Sequence, residues 1–223
     1  MTHIFRYKTI ASFMAALMAV TMSSCSDEEY STEMMLSDIV TVTSVGNDTR
    51  FEFQRYDDSP LIKLTAGNVD LPEKIVNNRV LLRYYPESGE PYTSGAVKVV
   101  GLTLINNDTT RILPIEKYNW TATPVYLNSI WRTGNYLNLR MKVEYSEKPR
   151  QFGLVVDSLT LKNPQPEVYL VHDKQGQPEN YMMETYASFD MTNLWSLPTC
   201  QSIKVHVNDT NLKKDIYIFT KKQ

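Results

Sequence analysis

The sequence predicts an all-β protein: a small OB-type β-barrel followed by an immunoglobulin-like β-sandwich. Three observations carry that prediction. Apolar and polar side chains alternate with a period of two, Asn-Asp-Thr triplets follow apolar β-branched runs, and the strand candidates fall into a group of five and a group of seven.

The alternation is clearest from Leu137 to Tyr145, where Leu137, Leu139, Met141 and Val143 alternate with Asn138, Arg140, Lys142 and Glu144. Ile203, Val205 and Val207 repeat the pattern against Lys204, His206 and Asn208, and Phe51 and Phe53 flank Glu52. Each marks a strand with one dry and one wet face. Asn-Asp-Thr begins at Asn47, Asn107 and Asn208. Asn and Asp tolerate left-handed backbone and hydrogen-bond their own main chain, so each triplet predicts a turn. Further breaks fall at 57–60, 86–91, 163–166 and 175–178.

Five strands are expected near 35–45, 50–56, 61–65, 79–85 and 95–106, and seven near 125–132, 136–145, 152–161, 167–172, 184–191, 202–208 and 215–220. Five short strands suit a barrel domain over 33–110, and seven suit a sandwich over 125–223. The polar stretch 111–124, with Pro114 and Pro124 and no alternation, is read as the linker.

The first 24 residues have the parts of a secretory signal: basic Arg6 and Lys8, an uncharged apolar stretch from Thr9 to Met22, then Ser23-Ser24. The apolar stretch is short for a transmembrane helix, which needs about 20 residues. Met22-Ser23-Ser24-Cys25 resembles a bacterial lipobox, with Met22 where Leu is usual, so Cys25 is the expected lipidation site. Two or three acyl chains, at about 0.8 kcal/mol per buried CH₂, hold such a protein to its membrane. An ordinary cleaved signal with an incidental cysteine ranks second. Ser26-Asp27-Glu28-Glu29 then reads as an acidic surface-export signal within a tether over 25–32. The expected place is the outer membrane of a Gram-negative cell, facing outward.

Charge narrows the partners. The chain carries 23 basic and 25 acidic residues, and the leader contains two of the basic ones, so the mature part is mildly acidic. Such a chain has no general attraction to nucleic acid. With Cys25 lipidated, Cys200 has no partner and reads as a small apolar residue rather than a reactive thiol.

Several segments together resemble the NigD-like lipoproteins: Cys25-Ser26-Asp27-Glu28-Glu29, Ser129-Ile130-Trp131 followed by Gly134-Asn135-Tyr136-Leu137-Asn138-Leu139, Val168-Tyr169-Leu170 leading to His172-Asp173, and Phe189-Asp190-Met191. The resemblance implies an N-terminal OB-type domain, a C-terminal β-sandwich and a surface location. The family name adds a loose link to bacteriocin production or immunity. It implies no catalytic residues.

Candidate chemistry is sparse. His206 falls on the polar face of a strand and reads as inert, and His172-Asp173 at a strand end lacks the three or four convergent ligands of a metal site. Neither a nucleophile-elbow serine nor a phosphate-binding glycine loop is present, and no carboxylate pair can be nominated for glycoside hydrolysis. No cofactor is expected. Trp120 in the linker and Trp195 in a loop are candidates for stacking on a ligand, packing between domains being the commoner fate; Trp131 reads as core. Tyr84, Tyr85 and Tyr92 suit either a barrel binding face or a core. Asp108-Thr109-Thr110, in an expected turn, resembles an O-glycosylation pattern, and Asp157-Ser158-Leu159 resembles it inside an expected strand.

By elimination and address, the expected function is a non-enzymatic surface lipoprotein, membrane-bound through Cys25, that binds a glycan, peptide or envelope protein. A bacteriocin-associated role in immunity or export and an enzyme of unrecognised type are the alternatives.

Overall fold

A computed structural model of the chain describes residues 34–67, 69–118, 123–148, 150–174 and 181–221. The expected lipidation site, the acidic segment 26–29 and Trp120 lie outside the described residues. Among the described residues no helix is long and apolar enough to cross a membrane.

The first five strands close on themselves. They are β1 (Leu36–Ser44), β2 (Thr49–Gln54), β3 (Leu61–Ala66), β4 (Arg79–Pro86) and β5 (Gly95–Leu104), in barrel order β1-β2-β3-β5-β4. Strand β1 pairs antiparallel with both β2 and β4, while β3 meets β5 in parallel. The alternation read from the sequence sends Val40, Val42, Phe51, Phe53, Leu64, Val80, Leu82 and Tyr84 inward. A 3-10 turn, Glu73–Ile75, closes one end by burying Ile75 against them. This is the OB-type barrel.

The remaining strands make the sandwich. They are β6 (Asn106–Thr109), β7 (Arg111–Leu113), β8 (Tyr126–Thr133), β9 (Tyr136–Glu144), β10 (Gln151–Asp157), β11 (Glu167–Asp173), β12 (Met182–Asp190), β13 (Ser202–His206) and β14 (Ile216–Thr220). One sheet runs β14-β13-β11-β10-β7 and the other β6-β12-β9-β8. Between them lie Leu127, Leu137, Leu139, Met141, Leu154, Val156, Phe189, Ile203 and Val205. A four-residue helix, α1 (Thr192–Trp195), follows β12 and turns Leu194 and Trp195 into that core.

Among the described residues the sandwich therefore has nine strands where seven are expected. The additional two, β6 and β7, come from 106–113, where Asn-Asp-Thr predicts a turn. Here Asn106–Thr109 instead runs parallel beside Ala187–Asp190 of β12, and Arg111–Leu113 beside Val155–Asp157 of β10. Tertiary pairing overrides the local turn preference of Asn and Asp. The two short strands thus cross over to opposite sheets within eight residues, and the polypeptide that leaves the barrel becomes an edge of each layer. Asp108 sits in an edge strand, where its carboxylate takes two hydrogen bonds from Arg111. Asp157 ends β10, and its side chain accepts from the Leu159 amide to start a 3-10 turn, Ser158–Thr160. The two Asp-Thr/Ser segments thus exchange the settings expected of them.

Candidate functional site

Barrel and sandwich belong to one compact unit, Met34–Gln223, and two arginines hold them together. Arg79 begins β4 on the outward face of the barrel and is 3% exposed. Its Nε donates to Ser188 Oγ at 3.1 Å, Nη1 to Thr41 Oγ1 at 3.1 Å and Nη2 to Asn138 Oδ1 at 3.3 Å. The guanidinium lies over the Tyr136 ring, 4.1 Å from its centroid. Among the described residues no carboxylate forms an ion pair with it; burial, against the pull of Tyr136 and Asp190, lowers its pKa to about 10, so it stays charged at neutral pH. Ser188 and Asn138 then bond each other, and the Asn138 amide donates to Thr133 Oγ1.

Arg132, in β8, faces the barrel from the other side. It grips Asp58 with both terminal nitrogens, donates to the Gly134 carbonyl, and stacks 5.3 Å from the Trp195 ring. Main-chain bonds from Asp57 to Arg132 and from Gly134 to Asp57 complete the seam. Gly134 has φ +55°, a conformation that favours glycine, and a Cβ there would collide with the Gln54 side chain of the barrel.

Beside this seam opens a cleft of about 420 Å³. Ile39, Phe53 and Leu81 of the barrel and Trp131 of β8 give it an apolar lining, while Asp38, Arg55, Ser129 and Arg140 bring polar groups. Asp38 points to the barrel side of β1, where the Tyr84 hydroxyl donates to its Oδ2 at 3.0 Å. Burial raises the Asp38 pKa, against the pull of the Tyr84 bond and of Arg55. Arg55 rests on the Tyr92 ring, 3.6 Å from its centroid. Arg140 is paired with Glu184, which also accepts from the Tyr186 hydroxyl. An apolar lining with a few convergent polar groups is what small-ligand sites share.

Trp131 lines this cleft together with Phe53 and Tyr186, although its place on a strand reads as core in the sequence. The reason is a bulge in β8 between Leu127 and Ser129. It shifts the phase by one residue, so Leu127 and Ile130 face the core while Ser129 and Trp131 face the barrel. Trp195, expected in an exposed loop, is instead 5% exposed within the sandwich core, so its ring is not open to a ligand. Tyr84 is likewise wholly buried in the barrel.

The histidines take no part in the cleft. His206 stacks on Tyr169 at 4.4 Å, with Nε2 2.9 Å from Glu167. His172 is 2% exposed and stacked on Phe152 at 4.5 Å, and among the described residues neither ring nitrogen has a hydrogen-bond partner. Burial, with Arg150 and Lys174 nearby, lowers its pKa to about 4. Cys200 is free and buried in the sandwich core, where burial raises its thiol pKa. Among the described residues no group of three or more metal-ligating side chains forms.

Residues 112–220 match the family model described as NigD-like C-terminal beta sandwich domain. The sandwich is thus a NigD-like C-terminal domain. The matched span contains both Trp131 and the Gly134–Leu139 segment, which contribute to the cleft and the seam.

Solved structures share the whole two-part fold. A protein of unknown function from Bacteroides vulgatus has a TM-score of 0.66 at 18% identity, covering 85% of this chain and 92% of that one. A NigD-like immunity protein from Bacteroides caccae has a TM-score of 0.60 at 19% identity, over 82% and 90%. A provisionally named lipoprotein from Bacteroides fragilis has 0.62 at 11% identity, over 85% and 99%. At these identities the likeness is one of fold. No curated protein matches the chain.

Proposed function

We propose that this chain is a non-enzymatic surface lipoprotein whose barrel–sandwich cleft binds a glycan or an extended peptide outside a Gram-negative outer membrane. The observation that carries the reading is Trp131, turned out of the core by the β8 bulge into a cleft opposite Asp38. The walls of that cleft are preorganised by Arg79 and Arg132, so little ordering opposes binding. Cys25 supplies the anchor and residues 26–29 the export signal in this reading; a Bacteroides fragilis structure named as a lipoprotein, with the same fold, supports it.

A binding role fits the cleft better than hydrolysis does. Among the described residues Asp38 is the one carboxylate lining it, and no histidine or cysteine does. A carboxylate pair flanking a scissile bond is what glycoside hydrolysis uses. The strand 2–3 face by which OB-type barrels take oligonucleotides and sugars carries Arg50, Glu52 and Lys63 here rather than aromatic rings.

The test is a glycan and peptide array probed with the full chain and with Trp131→Ala. Binding to one ligand class, weakened about tenfold or more in the variant, is the expected result for a buried aromatic anchor. Silence across the array, or binding indifferent to Trp131, overturns the reading.

A second reading rests on the Bacteroides caccae relative, which is named an immunity protein. It makes this chain part of a bacteriocin system. Deleting the gene then sensitises the producer to its own bacteriocin; unchanged sensitivity rejects it.

A further inference from the structure

Every sheet edge exposes unpaired backbone groups that invite another strand, and proteins blunt such edges with short strands, charge, bulges or covering loops. In the sandwich, β6 and β7 are short, at Asn106–Thr109 and Arg111–Leu113. The outer edge of β8 is covered at both ends: Asp209 and Asn211 bond Leu127, and Asp57 bonds Arg132. Strand β14, Ile216–Thr220, has no bulge and no charged residue within it; its charges, Lys213, Lys214, Asp215 and Lys221, flank it. It pairs with β13, and among the described residues no strand pairs with its other edge; the barrel loop 56–60 borders a cleft shared with Thr220 and Lys221 at one end.

The phase of its hydrogen bonds is fixed. Val207 donates to the Asp215 carbonyl and Lys221 donates to the Gln201 carbonyl, so odd-numbered residues bond β13. Ile216, Ile218 and Thr220 therefore aim their main-chain groups outward. Their side chains lie on the outer face of the sheet, where Ile216 is 41% and Ile218 58% exposed. An apolar, unbulged edge of this kind is a template for pairing.

We propose that β14 pairs antiparallel with β14 of a second copy of this chain, joining two five-stranded sheets across a two-fold axis at Ile218. The register is self-complementary. Centring the axis on Ile218 sets Ile216 opposite Thr220 of the second copy, and both are residues whose backbone groups point outward. The same register sets Asp215 opposite Lys221, twice by symmetry, so each end of the junction carries one pair of opposite charges beside Lys213 and Lys214. The Lys221 ammonium already donates to the Trp195 carbonyl at 2.6 Å and keeps two hydrogens for the carboxylate. Such an interface repeats the same patch on both copies and closes at two.

The test uses the full chain in detergent. Sedimentation velocity across a concentration series is expected to show monomer giving way to dimer, with the dimer absent at every concentration in Ile218→Lys, which sets two like charges on the axis. Ile218 is exposed, so that variant keeps the fold, and circular dichroism checks it. As a second measure, Ile218→Cys is expected to give a disulfide-linked dimer under mild oxidation, since facing residues in such a pair lie about 5.5 Å apart at Cα. Leu159→Cys, exposed but away from this edge, is expected to give none. A wild-type chain that stays monomeric throughout, a dimer that survives Ile218→Lys, or equal cross-linking at Leu159 would each overturn the proposal.

Discussion

Replacing Arg79 by alanine removes the guanidinium that joins barrel to sandwich, and the structure sets the size of the effect. Three hydrogen bonds from a charged donor disappear, to Ser188, Thr41 and Asn138. Bonds of that kind contribute roughly 1.5–3 kcal/mol each. The Tyr136 contact and the volume of a buried side chain are lost with them. Against this, the variant no longer buries a charge, which offsets part of the loss. Asn138 Oδ1 also keeps its bond from Ser188. The net expectation is a destabilisation of about 2–4 kcal/mol. In urea, with a slope on the order of 2–3 kcal/mol per molar, the unfolding midpoint falls by roughly 1 M or somewhat more. A double-mutant cycle with Ser188→Ala isolates the pair, with a coupling of roughly 0.5–3 kcal/mol expected. A variant within about 0.5 kcal/mol of wild type would refute the reasoning, because desolvation of the guanidinium would then cancel its bonds. Additive single changes would show that Ser188 is not its partner.

Two further predictions follow from buried or strained positions. His172 has a folded pKa of about 4, below the ordinary value of 6.5, so on acidification the unfolded chain takes up this proton first. Its contribution is therefore fully present above about pH 6.5 and is lost as pH falls toward about 4, up to roughly 3 kcal/mol in all. Urea midpoints measured from pH 7 to pH 4 are expected to fall less steeply in His172→Phe than in wild type; parallel slopes would remove His172 as the cause. Gly134→Ala forces a side chain into φ +55° and against Gln54. A drop of about 1–2 kcal/mol is expected by thermal denaturation, with partial recovery in the double variant Gly134→Ala/Gln54→Ala, and no recovery would locate the strain in the backbone alone.

Local patterns in the sequence predict the strands well. The twelve expected segments all appear, because inward and outward positions repeat every two residues wherever one face of a strand is dry. Leu137 to Val143 shows this directly, each apolar residue entering the sandwich core. The places where the pattern misleads are places where distant chain intervenes. Asn107 and Asp108 carry turn chemistry, yet β12 captures them as an edge strand. Trp131 reads as core because it lies on a strand, but the bulge after Leu127 turns it outward, and no apolar pattern records that bulge. Trp195 has loop neighbours and a core environment, because Asn193-Leu194-Trp195 winds one short helical turn against the sandwich.

The arginines mark the same boundary between levels. In sequence, Arg79 and Arg132 are two of many solvated charges; in the fold both are buried, Arg79 because the barrel covers the outer face of the β12–β9–β8 sheet, and Arg132 because it lies opposite Leu137 at the end of β8, between Trp195 and the barrel loop that carries Asp58. The sequence by itself determined the all-β class, nearly every strand and the NigD-like resemblance, since those depend on periods of two and on short segments. Only the tertiary structure decided how the barrel closes, which strands cross between sheets, which tryptophan faces a cleft and which charges lock the two domains. Those outcomes depend on which surfaces meet across tens of residues, and burial is a property of the pair of surfaces rather than of either strand.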